Sequence, residues 1–195
     1  MTLLTTGAEV MLHPLKITDI MCVIVYKPKG VEMPGKGVWD KINRLNHDGY
    51  GFVSTKHNFK TMYYDKLLRH LKGVSVDEDC IIHFRFATHG RKCRANCHPF
   101  SEGGVYFAHN GVLPVTPTDG KTDSETVFRR VIYPAIERYG YRSIEVDNII
   151  SSVIGWSKFA LMYDGDVRLF GSYAFMNGVY YSNLRWLKQE NDINI

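Results

Sequence analysis

The stretch KFALMYDGDVRLFGS, residues 158–172, contains two apolar runs separated by an Asp-Gly pair. Asp-Gly is a favoured two-residue turn between antiparallel strands, so this stretch predicts a β-hairpin. A second hairpin is predicted at residues 50–65, where YGFVSTK and FKTMYYD flank His57 and Asn58. Because hairpins dominate over strand–helix–strand units, the sequence predicts an α+β fold with antiparallel sheets.

The rest of the chain alternates between further strands and amphipathic helices. Short apolar runs predict strands at residues 22–26, 80–88, 104–111 and 178–183. Apolar residues at helical spacing predict helices at residues 37–46, 64–73, 122–140 and 146–154. Asp123 and Ser124 are the N-cap candidates of the longest helix, and Pro134 is expected to kink or split it.

The composition is that of one folded domain of 195 residues, of which 45% are hydrophobic. The net charge is +4, but basic and acidic residues are interspersed, so we expect no nucleic-acid partner. No apolar stretch reaches the roughly 18 residues of a membrane span, and residues 1–20 lack the pattern of a secretory signal. Four cysteines without an export signal indicate reduced thiols and a cytoplasmic location.

Cys22 directly follows an internal methionine, at the start of the first predicted strand. A cysteine at the N-terminus of a mature chain is a nucleophile with its own base, because its α-amino group can take the thiol proton. That chemistry requires residues 1–21 to be absent. We therefore expect residues 1–21 to be a leader or propeptide, or to be untranslated if Met21 is the true start, and residues 22–195 to form the catalytic domain.

Three further segments carry groups that an amide-cleaving thiol needs. Asn110 and Gly111 in AHNG offer a side-chain amide and a backbone N–H that can hold an oxyanion. Arg85 can bind a carboxylate through two parallel hydrogen bonds, and Asp123 in TDSE can hold an ammonium group. Each residue also has a structural interpretation, namely a buried cysteine, a tight turn, an ion-paired arginine and a helix cap.

Six segments occur in the order MCVIVY, NHDGYGF, RFATHG, NCHPF, AHNG and TDSE. As an ordered set they resemble the class II glutamine amidotransferase domain of the N-terminal-nucleophile hydrolases, in its small stand-alone form. The resemblance extends from residue 22 to about residue 183. It implies a four-layer αββα sandwich, in which two antiparallel sheets are flanked by helices.

The resemblance also implies a role for each matching residue. Cys22 is the expected nucleophile, and Asn110 with Gly111 is the expected oxyanion hole. Arg85 is expected to bind the α-carboxylate of glutamine, and Asp123 is expected to bind its α-amino group. The catalytic and substrate-binding groups therefore come from four separate segments of the sequence.

Two further pairs of residues match the family motifs. Thr88 and His89 lie in the expected substrate-lining turn, and His98 and His109 are expected to hold loops through hydrogen bonds. The implied activity is hydrolysis of glutamine through a γ-glutamyl thioester, with no cofactor and no metal. The released ammonia can pass to a separate synthase subunit, which is the expected protein partner beside the substrate.

Three alternatives stay open. The same residues can act on another γ-glutamyl amide, because Arg85 and Asp123 would still bind its glutamyl end. The segment HGRKCRANCH can instead hold zinc, through the candidate ligands His89, Cys93, Cys97 and His98. The domain can also be a non-catalytic relative that serves as a subunit or regulator.

Overall fold

The computed structural model describes residues 21–87, 90–117 and 120–190. Its strands are β1 (Val23–Lys27), β2 (Tyr50–Ser54), β3 (Asn58–Thr61), β4 (Cys80–Phe84), β5 (Phe100–Glu102), β6 (Val105–Asn110), β7 (Lys158–Tyr163), β8 (Asp166–Phe170), β9 (Ala174–Met176) and β10 (Val179–Tyr181). Its helices are α1 (Lys36–Leu45), α2 (Tyr64–Leu71), α3 (Asp123–Val127), α4 (Tyr133–Tyr139) and α5 (Ile144–Ile154). Among these helices, none has both the length and the hydropathy that crossing a bilayer requires.

The strands form two sheets. The first sheet has the order β3-β2-β4-β1-β10-β9, and the second has the order β5-β6-β7-β8. Each pair of neighbouring strands is antiparallel in the described residues. The two predicted hairpins are confirmed as β2–β3 and β7–β8, and the second is closed by Asp164 and Gly165 with φ angles of 49° and 76°. The predicted antiparallel α+β fold is confirmed.

Three apolar clusters separate four layers. One cluster packs α1 and α2 on the outer face of the first sheet, and it includes Trp39 and Leu67. A second packs the helices from α3 onward on the outer face of the second sheet. The third fills the space between the sheets with Ile24, Val53, Ile81, Ala108, Ala160 and Met162. The predicted αββα sandwich is confirmed, and burial of each large aliphatic side chain contributes about 1.5–3 kcal/mol to it.

Residue alternation along each strand decides which face a side chain occupies. In β1, Val23 and Val25 contact the helical layer, whereas Ile24 faces the second sheet. In β6, Phe107 contacts the opposite helical layer, whereas Ala108 faces the first sheet. Polar residues that continue the inner face at the strand ends therefore meet between the two sheets.

The long predicted helix continues past its proline. A π turn, Phe128–Ile132, joins α3 to α4, and the Tyr133 N–H donates to the Phe128 carbonyl. Pro134 has no N–H to donate, and the wider turn that precedes it keeps the chain helical up to Tyr139. Pro134 was expected to kink or split the helix: a full split does not occur, but the α-helical hydrogen bonding is interrupted by the π turn directly before it.

Three other details differ from the sequence predictions. The strands β5 and β9 were not predicted, because each has only three residues and no clear alternation. The strand predicted at 80–88 ends at Phe84, since the following backbone turns toward Cys22 and Asp48. Thr122 is the N-cap of α3, because its side chain accepts the Glu125 N–H.

Lys27 is buried at the end of β1 that lies farthest from Cys22. Its ammonium donates to the carbonyls of Ser75, Val76 and Glu78 at 2.9, 2.7 and 2.6 Å. A buried charge requires such partners, because removal from water is otherwise costly. Lys27 therefore ties the loop between α2 and β4 to the central strand.

Candidate active site

The site lies where three inner strands end. Cys22 directly precedes β1 and Arg85 directly follows β4, and these strands pair Val23 with Phe84. Asn110 is the last residue of β6, a strand of the second sheet that packs against β1 of the first sheet. The site thus brings together residues that are up to 101 positions apart in the sequence, from Cys22 to Asp123.

A small cavity of about 30 Å³ opens beside the thiol. Four of the predicted site residues line it: Cys22, Arg85, Gly111 and Asp123. Its other lining residues are Phe86, Ala87, His98, His109, Thr122 and Ser124. The cavity has room for water, so a ligand of the size of glutamine must displace part of the lining. Thr88 and His89 lie outside the described residues.

The Cys22 thiol contacts the backbone of Phe86. Its Sγ donates to the Phe86 carbonyl at 3.4 Å and accepts the Phe86 N–H at 3.3 Å, while the Cys22 carbonyl accepts from Asn183 Nδ2 at 3.0 Å. Burial raises the pKa of the Cys22 thiol to about 11, although the Phe86 N–H and the Arg85 charge oppose the rise. Because the described residues give this thiol no side-chain hydrogen-bond partner, it needs another base to ionise.

Asp48 holds the segment that contacts the thiol. Its Oδ2 accepts the Ala87 N–H at 2.9 Å, and its Oδ1 forms an ion pair with Lys92 Nζ at 2.6 Å. The Asp48 N–H also donates to the Arg85 carbonyl at 3.0 Å. Burial tends to raise the pKa of Asp48, but the bonds from Lys92 and Ala87 lower it overall. Sequence reasoning missed this residue, although it lies inside the quoted segment NHDGYGF.

Gly111 lines the cavity, whereas its neighbour Asn110 does not. Asn110 is fully buried, and its Nδ2 donates to Ser182 Oγ at 2.8 Å, while Ser182 also accepts the Ile24 N–H at 2.9 Å. Asn110 Oδ1 has no partner in the described part of the chain. Gly111 has a φ of 146°, and a Cβ there would overlap the Ser157 hydroxyl, so the position requires glycine. Ser182 was not predicted as a site residue.

Arg85, which follows β4, and Asp123, which begins α3, both line the cavity. Arg85 is only 3% exposed, and its guanidinium donates to the Arg91 carbonyl at 3.1 Å. Asp123 accepts the Leu113 N–H at 2.9 Å and the Ser124 N–H at 2.8 Å. One carboxylate thus joins the loop after β6 to the first turn of α3.

Three buried histidines lie at the cavity: His98 and His109 line it, and the His83 ring packs against that of His98. His109 Nδ1 lies 2.7 Å from Ser124 Oγ, which confirms that this residue holds α3. The corresponding prediction for His98 is wrong, because neither of its ring nitrogens has a partner among the described residues. The His98 ring instead packs 4.2 Å from the His83 ring, centroid to centroid. Burial lowers the pKa of His83 to about 3 and that of His109 to about 4, and it places the pKa of His98 well below its usual value.

The described ranges contain no group of three His, Cys, Asp or Glu side chains placed to hold a metal ion. Of the candidate zinc ligands, Cys97 is buried with its Sγ 3.7 Å from Met62 Sδ and 3.8 Å from the Thr61 carbonyl. His89 lies outside the described residues. All four cysteines are free thiols.

The chain was compared with known proteins. No protein-family model matches the chain, and no curated protein matches it. Matching chains of solved structures include a glutamine phosphoribosylpyrophosphate amidotransferase from B. subtilis, complexed with ADP and GMP, at 19% sequence identity and a TM-score of 0.53. This chain shares the fold of that enzyme. The match covers 82% of this chain and 41% of the amidotransferase chain, so the similarity spans about two fifths of the larger protein.

Proposed function

We propose that this protein is a glutamine amidohydrolase, which uses Cys22 as an N-terminal nucleophile and releases ammonia through a γ-glutamyl thioester. The observation that carries the proposal is the single cavity lined by Cys22, Arg85, Gly111 and Asp123. That cavity combines a nucleophile, a cation, an unhindered backbone N–H and a carboxylate. The fold shared with a glutamine phosphoribosylpyrophosphate amidotransferase supports the same chemistry.

The α-amino group of Cys22 serves as the base. The raised pKa of about 11 leaves the thiol protonated near neutral pH, so attack on an amide requires a proton acceptor nearby. A free α-amine has an ordinary pKa near 8 and lies within the same residue. This role requires residues 1–21 to be removed or untranslated, with residues 22–195 as the working domain. Cys22 then begins the chain.

Asn110 and Gly111 stabilise the oxyanion. The shape of a carboxamide does not distinguish its oxygen from its nitrogen, so Asn110 can also adopt the reverse orientation. Ser182 accepts from Ile24, which leaves its hydroxyl proton to bond Asn110 Oδ1 in that orientation. This arrangement removes the unpaired buried oxygen and frees both Nδ2 hydrogens for the substrate. Losing one oxyanion donor typically reduces the rate by about 10²–10³.

Arg85 and Asp123 bind the two charged groups of the glutamyl end. The buried guanidinium is suited to the α-carboxylate, because a partly desolvated Arg–carboxylate pair is a strong charge-assisted contact. The Asp123 carboxylate is suited to the α-ammonium group. Thr88 and His89 are proposed to complete the substrate-lining turn. With both ends of the glutamyl group held, its carboxamide carbon can be placed against Cys22 Sγ.

The reaction proceeds by two acyl transfers. Cys22 Sγ forms a bond to the carboxamide carbon, and its proton moves to the α-amine. The amine then protonates the leaving nitrogen, so that the C–N bond breaks and ammonia departs. Water adds to the thioester with the same amine as base, and the C–S bond breaks to release glutamate. Asn110 and Gly111 hold the negative oxygen in both steps.

The test uses the full chain beside a form whose translation starts at Met21, and intact mass identifies any product that begins at Cys22. We expect glutamate release only from protein that begins at Cys22. Cys22→Ala should reduce the rate at least about 10³-fold. Cys93→Ala is the matched control, because this half-buried cysteine does not line the cavity. Cys22→Ala activity within tenfold of the unaltered protein, or full activity with residues 1–21 attached, would refute the assignment.

Ammonia release implies a destination. We propose that a separate synthase subunit accepts the ammonia. The sequence resemblance and the fold shared with an amidotransferase support this proposal. The four free cysteines fit a reducing compartment such as the cytoplasm. Co-purification from the native source tests the partner, and free glutaminase turnover without any associated subunit would contradict it.

A further inference from the structure

A cationic side chain lies beside Asn110, away from Arg85. In the β6–β7 pairing, Lys158 stands directly opposite Asn110. Side chains of opposed residues leave the same face of a sheet, with Cβ atoms about 5 Å apart. Ala160, two residues along β7, lies in the cluster between the sheets, so Lys158 also faces the space between the sheets. Lys158 therefore lies beside Asn110 at the end of the inner face, although it does not itself line the cavity.

A second cation, Arg185, follows β10 and is linked to Cys22 through Asn183. Asn183 donates to the Cys22 carbonyl, and the Arg185 N–H donates to Asn183 Oδ1 at 3.2 Å. Burial and the nearby Arg185 charge lower the pKa of Lys158. Lys158 Nζ donates to the Trp156 carbonyl at 3.3 Å, and within the described ranges it pairs with no carboxylate. Two neighbouring cations, one of them without a counter-ion, attract an anion.

The strand order separates these cations from the glutamyl end. In the first sheet, β4 and β10 lie on opposite sides of β1, and in the second sheet β5 and β7 lie on opposite sides of β6. Arg85 follows β4, whereas Lys158 belongs to β7 and Arg185 follows β10. A substrate with its carbonyl at Cys22 and its glutamyl end at Arg85 directs its leaving amine toward Lys158 and Arg185.

An exposed aromatic side chain borders the same region. Trp156 is 98% exposed, although large aromatic side chains are usually buried at least in part. It precedes Ser157, whose hydroxyl donates to the Val112 carbonyl at 3.3 Å and whose side chain abuts Gly111. Val112 is itself 59% exposed. Trp156 and Val112 are thus two exposed apolar residues that adjoin Ser157 and Gly111 in the sequence.

We propose that the site acts on γ-glutamyl amides whose amine part is an amino acid, with Lys158 binding its free carboxylate. The inference rests on the proposed function of Cys22. The chemistry is the same acyl transfer: the C–S bond forms, the C–N bond breaks and the thiol proton leaves on the amino acid. Water then hydrolyses the thioester and no further reactant is needed.

The test compares two substrates that differ chiefly in one charge. γ-Glutamylglycine carries a carboxylate on its amine part, and γ-glutamylglycinamide replaces it with a neutral amide of nearly the same size. The protein that begins at Cys22 is used, because Met21–Glu190 contains all three described core clusters. We expect kcat/KM to favour γ-glutamylglycine by about tenfold or more, as for one charge-assisted contact.

Variants connect that preference to the lysine. Lys158→Gln should bring the ratio of the two kcat/KM values toward one, and Lys158→Arg should restore most of it. Lys66→Gln, an exposed lysine on α2, is the control and should leave the ratio unchanged. The ratio of the two kcat/KM values does not change when a variant simply contains less active protein. The comparison of the two substrates in the unaltered protein requires no variant at all.

Each outcome separates the inference from the proposed function. Equal kcat/KM values for the two substrates, or a preference that survives Lys158→Gln, would overturn the carboxylate subsite. Hydrolysis of glutamine without hydrolysis of either γ-glutamyl amide would also overturn it, while the proposed function would stand. No hydrolysis of any of the three compounds by protein beginning at Cys22 would overturn both.

Discussion

Lowering the pH from 7 to 5 should strongly destabilise this protein, because three neutral histidines are buried at the site. The unfolded chain binds protons at these rings near pH 6.5. The folded chain does so only near pH 4 at His109 and near pH 3 at His83, while His98 also stays neutral well below its usual range. Below pH 6.5 the unfolded state therefore holds more protons, and the free energy of unfolding falls.

The size of the effect follows from the number of rings. Each histidine that remains neutral only in the folded state reduces the free energy of unfolding by about 1.4 kcal/mol per pH unit. Between pH 6.5 and pH 5, three such rings reduce it by about 5 kcal/mol, because each unfolded ring is already half protonated at pH 6.5. The free energy of unfolding of a domain is usually about 5–15 kcal/mol, so this loss is comparable with the whole stability.

Urea unfolding followed by circular dichroism at pH 7, 6.5, 6, 5.5 and 5 measures this slope. His98→Phe should reduce the slope by about a third, because neither ring nitrogen of His98 has a partner to lose in the described part of the chain. His57→Gln, at an exposed position in the β2–β3 turn, is the control. A free energy of unfolding that changes by less than about 1 kcal/mol between pH 6.5 and 5 would refute the reasoning.

Two further substitutions test other contacts. Lys27→Met should lower the stability by about 3 kcal/mol and the Tm by about 10 °C, because three carbonyls lose their donor. Thermal unfolding measures this loss, and a Tm equal to that of the exposed control Lys66→Met would contradict it. Ser182→Ala should lower kcat for glutamine about 10-fold to 100-fold with little change in KM, because Asn110 loses its partner. Glutaminase kinetics test this, and an unchanged kcat would show that Ser182 does not position Asn110.

Local sequence signals predicted the parts of the fold that depend on neighbouring residues. The β7–β8 hairpin was predictable because Asp164 and Gly165 both adopt positive φ angles that favour these residue types. The strands β5 and β9 were missed, since strands of three residues form by pairing with β6 and β10 rather than by their own pattern. The form of the helix around Pro134 was predicted only in part, because sequence spacing does not reveal a π turn.

The same distinction applies to the candidate site. The proximity of Cys22, Arg85 and Gly111 was predictable, because each lies next to the end of a strand that the sequence predicts. Ser182 was missed, since its contact with Ile24 joins residues 158 positions apart. A lone serine after a strand gives no local sign of that contact, so only the assembled sheet identifies its role.

The inner faces of the two sheets carry different residue types in their middle and at their ends. Their middle positions carry apolar residues such as Ile24 and Ala108, whereas Arg85, Asn110 and Lys158 stand at or just beyond the strand ends. A library of variants confined to positions 85, 110 and 158 would therefore sample new chemistry without altering the apolar cluster between the sheets. Residues whose variation can change the chemistry therefore lie at the strand ends. The apolar residues that maintain the core begin one or two positions further along each strand.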